Sequence, residues 1–421
     1  MFSHNIDRRF VSWNTEPAVF AILKSLTPQD IETDFIDERY EEVRYSPDYD
    51  LVVFSVKTYN ARNSYNISSQ FRKLGVRTIA GGCHTMLNPE ETGRHFDSIV
   101  LGDAESTWHS VMNDLRNSTV KSLYRSDPDN RHFAMPDRSI YDKYRYLPMH
   151  LVESSRGCPY KCRFCSTASV SGGLIKYRDP GQIDSELKQL RNSIVLFTDE
   201  NIAADRKHLM TIARYAGSHN VRWIAQADIS IADDNTLRYI ARNGCRGLLI
   251  GFESMSDKML KSYNKQTNIH KDYAEVIDKL HHYGIMVYAS FIFDSDEFDA
   301  LNSTSDFILN NNPDLCGLSP LTPFPGTPLY EEKLKLNPSV KNWWLRETYP
   351  YFRFVFNDRH SGQMESNINN ARRSIYSLRG IIKRMNLSNI ISHPTMALFS
   401  ALFNLMGMAE VRSKSNITKS S

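Results

Sequence analysis

The chain has 421 residues, of which 41% are hydrophobic and 24% charged, a globular balance with enough length for two domains. A net charge of +3 is too small to indicate nucleic-acid binding, and six cysteines are too few for a secreted disulfide scaffold. No apolar stretch is long enough for a membrane span and residues 1–10 do not form a signal peptide, so we expect a cytoplasmic protein.

The first third of the chain alternates short apolar runs with amphipathic segments, which predicts a parallel sheet with crossover helices. The predicted strands cover residues 31–36, 51–56, 76–80 and 98–101, with helices over 16–26 and 64–74. We therefore expect a small doubly wound, Rossmann-like domain over residues 1–126, followed by a proline-containing linker over 127–147.

Small residues and hydroxyls follow the strands of this first domain. They occupy the carboxyl edge of an open sheet, where such folds bind ligands, and glycines there let a flat group approach the backbone. The candidate binding residues are Ser55, Val56, Thr58, Gly81, Gly82, His84, Gly102, Asp103 and Glu105. His84 is equally well explained as a hydrogen-bonded turn histidine.

A second series of six predicted strands indicates a partial (β/α)6 barrel over residues 148–335. These strands cover residues 150–154, 194–198, 221–225, 247–252, 285–293 and 317–322. One connecting helix is well delimited, because Asp233 can cap its start and Gly244 can end it. Chemistry is expected at the carboxyl ends of the strands, as in complete barrels.

Three cysteines, Cys158, Cys162 and Cys165, follow the first barrel strand within eight positions. Clustered thiolates indicate a thiophilic metal centre. A structural zinc ion needs a fourth ligand, which Cys83, Cys245 or Cys316 would have to supply. Three cysteines on an iron-sulfur cube would instead leave one iron open for a small molecule, and we favour this second interpretation.

The cysteine loop resembles that of the radical SAM superfamily, and further motifs resemble its cobalamin-binding, methylase-like branch. The stretch Gly251-Phe252-Glu253-Ser254 with Asn264-Lys265 is similar to a second superfamily motif, and residues 321–330 resemble a proline-rich turn of this branch. The resemblance implies a 4Fe-4S cluster, S-adenosylmethionine (SAM), and an external electron donor of the flavodoxin or ferredoxin type.

The resemblance also assigns SAM contacts at the strand ends. It places Phe164 beside the adenine, an acidic residue of Asp199, Glu200 and Asn201 at the ammonium group, Glu253 at the ribose, and Lys265 at the carboxylate. Gln226, Asp228 and Ser254 are further candidates, of which Asp228 and Gln226 are equally explained as ordinary polar strand ends. The acidic triplet also fits the start of the following helix.

For the first domain the resemblance implies cobalamin, with two departures from the pattern. No DxHxxG motif is present, and the opening apolar strand is missing. The implied activity is SAM cleavage to a 5′-deoxyadenosyl radical, followed by methylation of an unactivated carbon in a small natural product or lipid. Alternatives are a radical oxidation, cyclisation or rearrangement without methyl transfer, and a non-catalytic iron-sulfur or cobalamin carrier.

The remaining residues, 336–421, predict an aromatic segment and a helical extension. Residues 342–356 either line a pocket or pack in a core. A basic helix over 368–385 and an apolar helix over 395–408 either cap the barrel or rest on a membrane surface. The loop after the fifth barrel strand, 294–297, lacks the expected glycine and is shortened.

Overall fold

The N-terminal domain contains a four-stranded sheet in which all strands are parallel and adjacent in chain order. The computed structural model describes residues 15–127, 132–142, 144, 146–294, 298–346, 361–385 and 394–417. The strands are β1 (Leu51–Ser55), β2 (Arg77–Gly81), β3 (Ser98–Leu101) and β4 (Leu123–Arg125). This confirms the predicted Rossmann-like sheet.

Two sequence predictions for this sheet were wrong. Residues 31–36 form no strand, because Phe35 alone inserts among aromatic rings and its carbonyl accepts a hydrogen bond from the Tyr144 hydroxyl (2.8 Å). The strand β4 was missed, since three residues with one buried side chain give no recognisable pattern.

Helices cover both faces of this sheet. They are α1 (Ala18–Leu26), α2 (Ala61–Lys73), α3 (Cys83–Leu87), α4 (Pro89–His95) and α5 (Ala104–Arg116). Val53 and Ile79 pack toward α1 and α5, whereas their neighbours Phe54 and Ala80 belong to a second apolar cluster on the opposite face. Successive residues of a strand point to opposite faces, so both faces are buried.

The second domain contains a six-stranded parallel sheet, again in chain order, and all six predicted strands are confirmed. Its strands are β5 (Met149–Val152), β8 (Ile194–Phe197), β9 (Arg222–Ala227), β10 (Cys245–Glu253), β11 (Met286–Phe293) and β12 (Leu315–Pro320). A separate two-stranded ribbon is formed by β6 (Ser155–Arg156) and β7 (Lys176–Tyr177). The helices between them are α6 (Ser166–Ser171), α7 (Pro180–Gln189), α8 (Arg206–Ser218), α9 (Asp234–Arg242), α10 (Asp257–Ser262), α11 (Tyr273–His282) and α12 (Phe298–Asn311).

One face of the strands of this partial barrel is fully buried, and the alternate residues on the other face are mostly only half-buried. Val195, Trp223, Ile250 and Val287 are all 0% exposed. Each such side chain contributes about 1.5–3 kcal/mol through burial.

The helix limits predicted within the barrel are also confirmed. Asp233 caps α9 by accepting the Thr236 N–H at 2.9 Å. Gly244 has φ +95°, and a Cβ there would lie 2.2 Å from the Val221 carbonyl oxygen.

Among the described residues, four α-helices follow the barrel strands: α13 (Pro328–Leu336), α14 (Ser361–Ile375), α15 (Leu378–Arg384) and α16 (Pro394–Ile417). The single basic helix predicted over 368–385 is divided, because Ser377 begins a new helix by accepting the Gly380 N–H. Trp343 and Trp344 are 2% exposed and pack against the N-terminal domain, so this part of the aromatic segment is core. Residues 347–356, and 295–297 in the shortened loop, lie outside the described residues.

In the described part of the chain, none of the helices combines the length and apolar character needed to cross a membrane.

Candidate active site at the carboxyl edge of the barrel

The cysteine loop leaves the barrel directly after β5 and β6. Gly157 precedes the first cysteine with φ +95°, and a Cβ there would lie 2.1 Å from the Leu174 carbonyl oxygen. The loop closes through the Cys165 N–H, which donates to the Cys162 carbonyl at 3.1 Å. A glycine is therefore required for the chain to turn into the loop.

The three thiols lie in a partly buried environment. Burial raises the pKa of Cys158 and raises that of Cys162 to about 11, while the nearby Lys265 ammonium acts in the opposite direction. Because a thiolate is the form that binds metal, a bound cation has to supply most of the charge that keeps these groups ionised.

The donor set fits an iron-sulfur cube better than a zinc ion. Cys245 and Cys316 belong to the buried core of the barrel, and Cys83 lies on α3 of the first domain. Within the described ranges, no three His, Cys, Asp or Glu side chains are grouped closely enough to hold one metal ion. A cube spaces its ligands more widely than a single ion does, and three cysteines leave one of its irons open.

Asp199, at the end of β8, holds the strand that leads into the loop. Its carboxylate accepts the Ser154 N–H (3.0 Å) and the hydroxyls of Ser154 (2.6 Å) and Ser155 (2.5 Å). The side chain is 1% exposed, and burial raises its pKa. Asp199 is therefore committed to internal contacts, whereas the next residue, Glu200, touches the loop itself by accepting the Gly157 N–H at 2.9 Å.

Asn201, Gln226 and Asp228 lie at the same edge. Asn201 and Asp228 are buried and form two hydrogen bonds, the shorter from Asn201 Nδ2 to Asp228 Oδ2 at 2.6 Å. Gln226 donates to the Glu200 carbonyl at 3.2 Å. Tyr160, which the sequence analysis missed, hydrogen-bonds Asp228 from within the cysteine loop, and burial with this contact raises its pKa to about 12.

The fourth barrel strand, β10, ends in an ion pair beside the cysteines. Lys265 Nζ lies 3.2 Å from Glu253 Oε1. Burial alone would lower the pKa of Lys265, but the charges of Glu253, Cys162 and Asp228 raise it, so the ammonium group is retained. Ser254 is buried and accepts the Ser256 N–H at 3.1 Å.

Phe164 joins this corner to the end of the barrel. Its ring meets Tyr263 edge-on, with centroids 5.7 Å apart, and packs with Leu321 and Leu329 on either side of the proline-rich turn. Gly326 of that turn has φ +70° and approaches Leu87 of α3. The turn therefore packs between the barrel and the first domain.

Replacing Gly251 with alanine tests the geometry of the ion pair. The new Cβ would lie 2.3 Å from Glu253 Oε1, which is the free end of a flexible side chain, so Glu253 has to move while the strand stays intact. We expect SAM to bind about tenfold more weakly to the reconstituted protein, measured by anaerobic calorimetry. Gly93→Ala, whose Cβ meets only Ile99 at 3.8 Å, is the control, and equal affinities of the two variants would refute the prediction.

A cavity of about 290 Å³ lies between the two domains. The residues that line it include six of the candidate binding residues of the first domain, namely Ser55, Gly81, Gly82, Gly102, Asp103 and Glu105. Leu151, Glu153 and Thr198 contribute from the barrel. The three glycines carry no side chain at their positions along the sheet edge, which suits a bulky flat ligand.

Val56, Thr58 and His84 are not among the lining residues of this cavity. His84 is 0% exposed, and its ring nitrogens bond the hydroxyls of Thr58 (3.1 Å) and Tyr65 (3.1 Å). The structure therefore places His84 as a satisfied core histidine.

Charged residues at the cavity wall tie the domains together. Arg156 bonds Glu105 of the first domain at 2.5 Å and Glu153 of the barrel at 2.7 Å, and Lys176 bonds Asp103 at 2.8 Å. Arg156 stands two positions before Cys158, so this contact links the cavity directly to the cysteine loop.

The free energy of unfolding should fall as the pH rises from about 4.5 to 7, because of Glu153. Burial raises its pKa from 4.5 to about 7, so the folded protein holds this proton more tightly than the unfolded chain and loses stability as the proton leaves. We expect a contribution on the order of 2 kcal/mol, reduced by the 28% exposure of the side chain.

Urea unfolding at about pH 5 and pH 7.5 measures this effect. Glu153→Gln should flatten the pH dependence, whereas Glu275→Gln on the exposed surface of α11 should not change it. An equal dependence of the unfolding free energy on pH in both variants would contradict the role of Glu153.

Comparison with known proteins decides the family. Residues 152–300 match the model of the radical SAM superfamily. Residues 152–300 therefore form a radical SAM domain. This confirms the resemblance drawn from the cysteine loop, and it implies the 4Fe-4S cluster and SAM as cofactors of the site.

Two curated relatives and one solved structure are similar to this chain over different lengths. A bacteriochlorophyllide d C-12(1)-methyltransferase of Chlorobaculum tepidum is 29% identical over 391 residues, covering 88% of this chain and 84% of the relative. A hopanoid C-2 methylase of Rhodopseudomonas palustris is 26% identical over 215 residues, covering 47% and 40%. The structure of the radical SAM methyltransferase TsrM from Kitasatospora setae, with cobalamin and a [4Fe-4S] cluster, matches with a TM-score of 0.55 at 14% identity, covering 72% and 66%. At this identity the match to TsrM shows the shared fold.

Proposed function

We propose that this radical SAM protein is a cobalamin-dependent methyltransferase that acts on an unactivated carbon of a small natural product or lipid. The observation that carries the proposal is the cavity between the glycine-lined edge of the first domain and the strand that leads into the cysteine loop. Curated relatives over most of the chain are methyltransferases, which supports the same activity.

The residues of the barrel have distinct roles in this proposal. When bound, the cluster would supply the electron that cleaves SAM to methionine and a 5′-deoxyadenosyl radical. Cobalamin would supply the methyl group that is transferred. Cys158, Cys162 and Cys165 hold three irons. Glu253 and Lys265 would bind SAM, and their ion pair fixes both side chains before the ligand arrives.

The substrate class follows from the relatives. The named substrates of the relatives, bacteriochlorophyllide and hopanoids, are large and mostly apolar. We propose a flat or ring-containing apolar acceptor of that kind, an electron donor of the flavodoxin or ferredoxin type, and a reducing cytoplasmic location.

Anaerobic reconstitution tests the proposal. The purified protein should retain corrin, form 5′-deoxyadenosine with SAM and a reductant, and transfer the labelled methyl group of SAM to a tetrapyrrole or hopanoid acceptor. Nucleoside formation without bound corrin would contradict methyl transfer and favour an oxidation, cyclisation or rearrangement. Absence of both nucleoside and corrin would overturn the enzymatic assignment in favour of a carrier.

A further inference from the structure

The two last helices leave large apolar side chains on the outside of the protein. Half of the twelve exposed large apolar residues in the described part of the chain lie on or directly beside α15 and α16. They are Leu378 (60% exposed), Ile382 (60%), Met385 (43%), Leu398 (71%), Leu402 (51%) and Leu405 (49%). These six residues are called the apolar stripes below.

Each stripe follows one side of its helix. Residues 378, 382 and 385, and equally 398, 402 and 405, have the i, i+4, i+7 spacing that places side chains in one row. The other side of each helix contacts its neighbour or the barrel. Arg384 donates to Asn404 Oδ1 at 2.7 Å, and Asn404 donates to the Asp314 carbonyl at 2.8 Å. The helices thus cap the barrel with one side, and the stripes remain outside.

Basic residues flank the stripes without acidic partners. Arg373, Arg379 and Lys383 are exposed, and the sequence contains no Asp or Glu from residue 366 to residue 409. Among the salt bridges of the described residues, none involves these three side chains. The surface therefore combines apolar side chains with uncompensated positive charge.

We propose that α15 and α16 dock on an anionic lipid surface. Apolar side chains that enter the boundary of the acyl chains, flanked by Lys and Arg near the headgroups, are the physical basis of binding by helices that lie in the membrane plane. The charge excludes a second copy of this chain as the occupant, because two such faces would place positive charge against positive charge. The docking goes beyond methyl transfer and does not depend on it.

Vesicle flotation of the full-length, reconstituted protein tests the docking. Vesicles of 70% phosphatidylcholine and 30% phosphatidylglycerol should carry the protein at low salt, whereas pure phosphatidylcholine vesicles should carry much less. Raising the salt concentration should release it, since the attraction to anionic lipid is screened. Equal binding to both vesicle types, or no binding to either, would overturn the proposal.

Substitutions in the stripe test the apolar contribution. Leu398→Gln with Leu402→Gln should weaken partitioning by about tenfold or more. Leu74→Gln with Leu336→Gln, at 42% and 75% exposure, is the matched control and should bind as the unmodified protein does. Circular dichroism checks that both proteins are folded, and identical partitioning of the two would refute the docking face.

Substitutions of the flanking charges test the electrostatic contribution. Arg379→Gln with Lys383→Gln should weaken binding to the anionic vesicles on the order of tenfold, whereas Lys188→Gln with Arg191→Gln, exposed on the barrel, should not. Light scattering measures whether the protein self-associates through the stripes instead. Dimers that are lost in the Leu398 and Leu402 variant, together with no vesicle binding at any salt concentration, would overturn the lipid proposal.

Discussion

Replacing Cys162 with alanine will abolish 5′-deoxyadenosine formation and sharply lower the iron content of the reconstituted protein. Cys162 is the middle ligand of the loop and the most buried of the three thiols, at 8% exposure. No other cysteine of the described barrel residues lies where it can substitute, because Cys245 and Cys316 are held within the core. With two protein ligands, the cube has neither a stable attachment nor a single open iron.

Iron and sulfide analysis together with nucleoside yield measure this loss. The matched control is Cys83→Ala, which removes an exposed thiol of α3 in the first domain and should leave both quantities unchanged. Full nucleoside yield from the Cys162→Ala protein would show that the cluster is held elsewhere. Bound zinc in unmodified protein purified without oxygen would contradict the iron-sulfur assignment altogether.

The barrel could be predicted from the sequence because its strands are apolar along most of their length. Apolar runs such as Ile194–Phe197 and Met286–Phe293 appear without any need to know their partners. The strand predicted over residues 31–36 is absent from the structure. An apolar residue at each end with charges between them does not show whether a neighbouring strand exists. The short β4 is defined by its pairing with β3 rather than by its composition.

The site was predictable where spacing along the chain determines it. The cysteine loop and the motif around Glu253 are local, so the order of the residues is enough to recognise both. Contacts between distant segments could not be recognised in this way, and these include Arg156 with Glu105 and Tyr160 with Asp228. The hydrogen bonds that the Asp199 carboxylate accepts from Ser154 and Ser155 also join distant segments.

Replacing Ala104 with tryptophan will separate methyl transfer from SAM cleavage. Ala104 begins α5 and lines the cavity between the domains, next to Gly102 and Glu105. A tryptophan side chain would occupy a large part of the cavity of about 290 Å³, at the edge of the sheet where three glycines line it. We expect the protein to lose bound corrin and methyl transfer, each to background.

The cleavage of SAM should survive this substitution, because none of the residues that hold the cluster or the Glu253 and Lys265 pair belongs to the cavity wall. Corrin absorbance, nucleoside yield and methyl transfer are therefore measured on one preparation. Ser110→Trp, on an exposed position of the same helix, introduces an equal side chain outside the cavity and should leave all three quantities unchanged.

The combination of results distinguishes the cavity from the fold around it. Loss of nucleoside together with corrin would mean that Ala104→Trp disturbs the barrel through the Arg156 contact with Glu105, and thermal unfolding would then show a lower midpoint. Corrin retained at the level of the Ser110→Trp protein would mean that the cofactor does not enter this cavity. The methyltransferase proposal would then lose its structural support, while the assignment of the cysteine loop would stand.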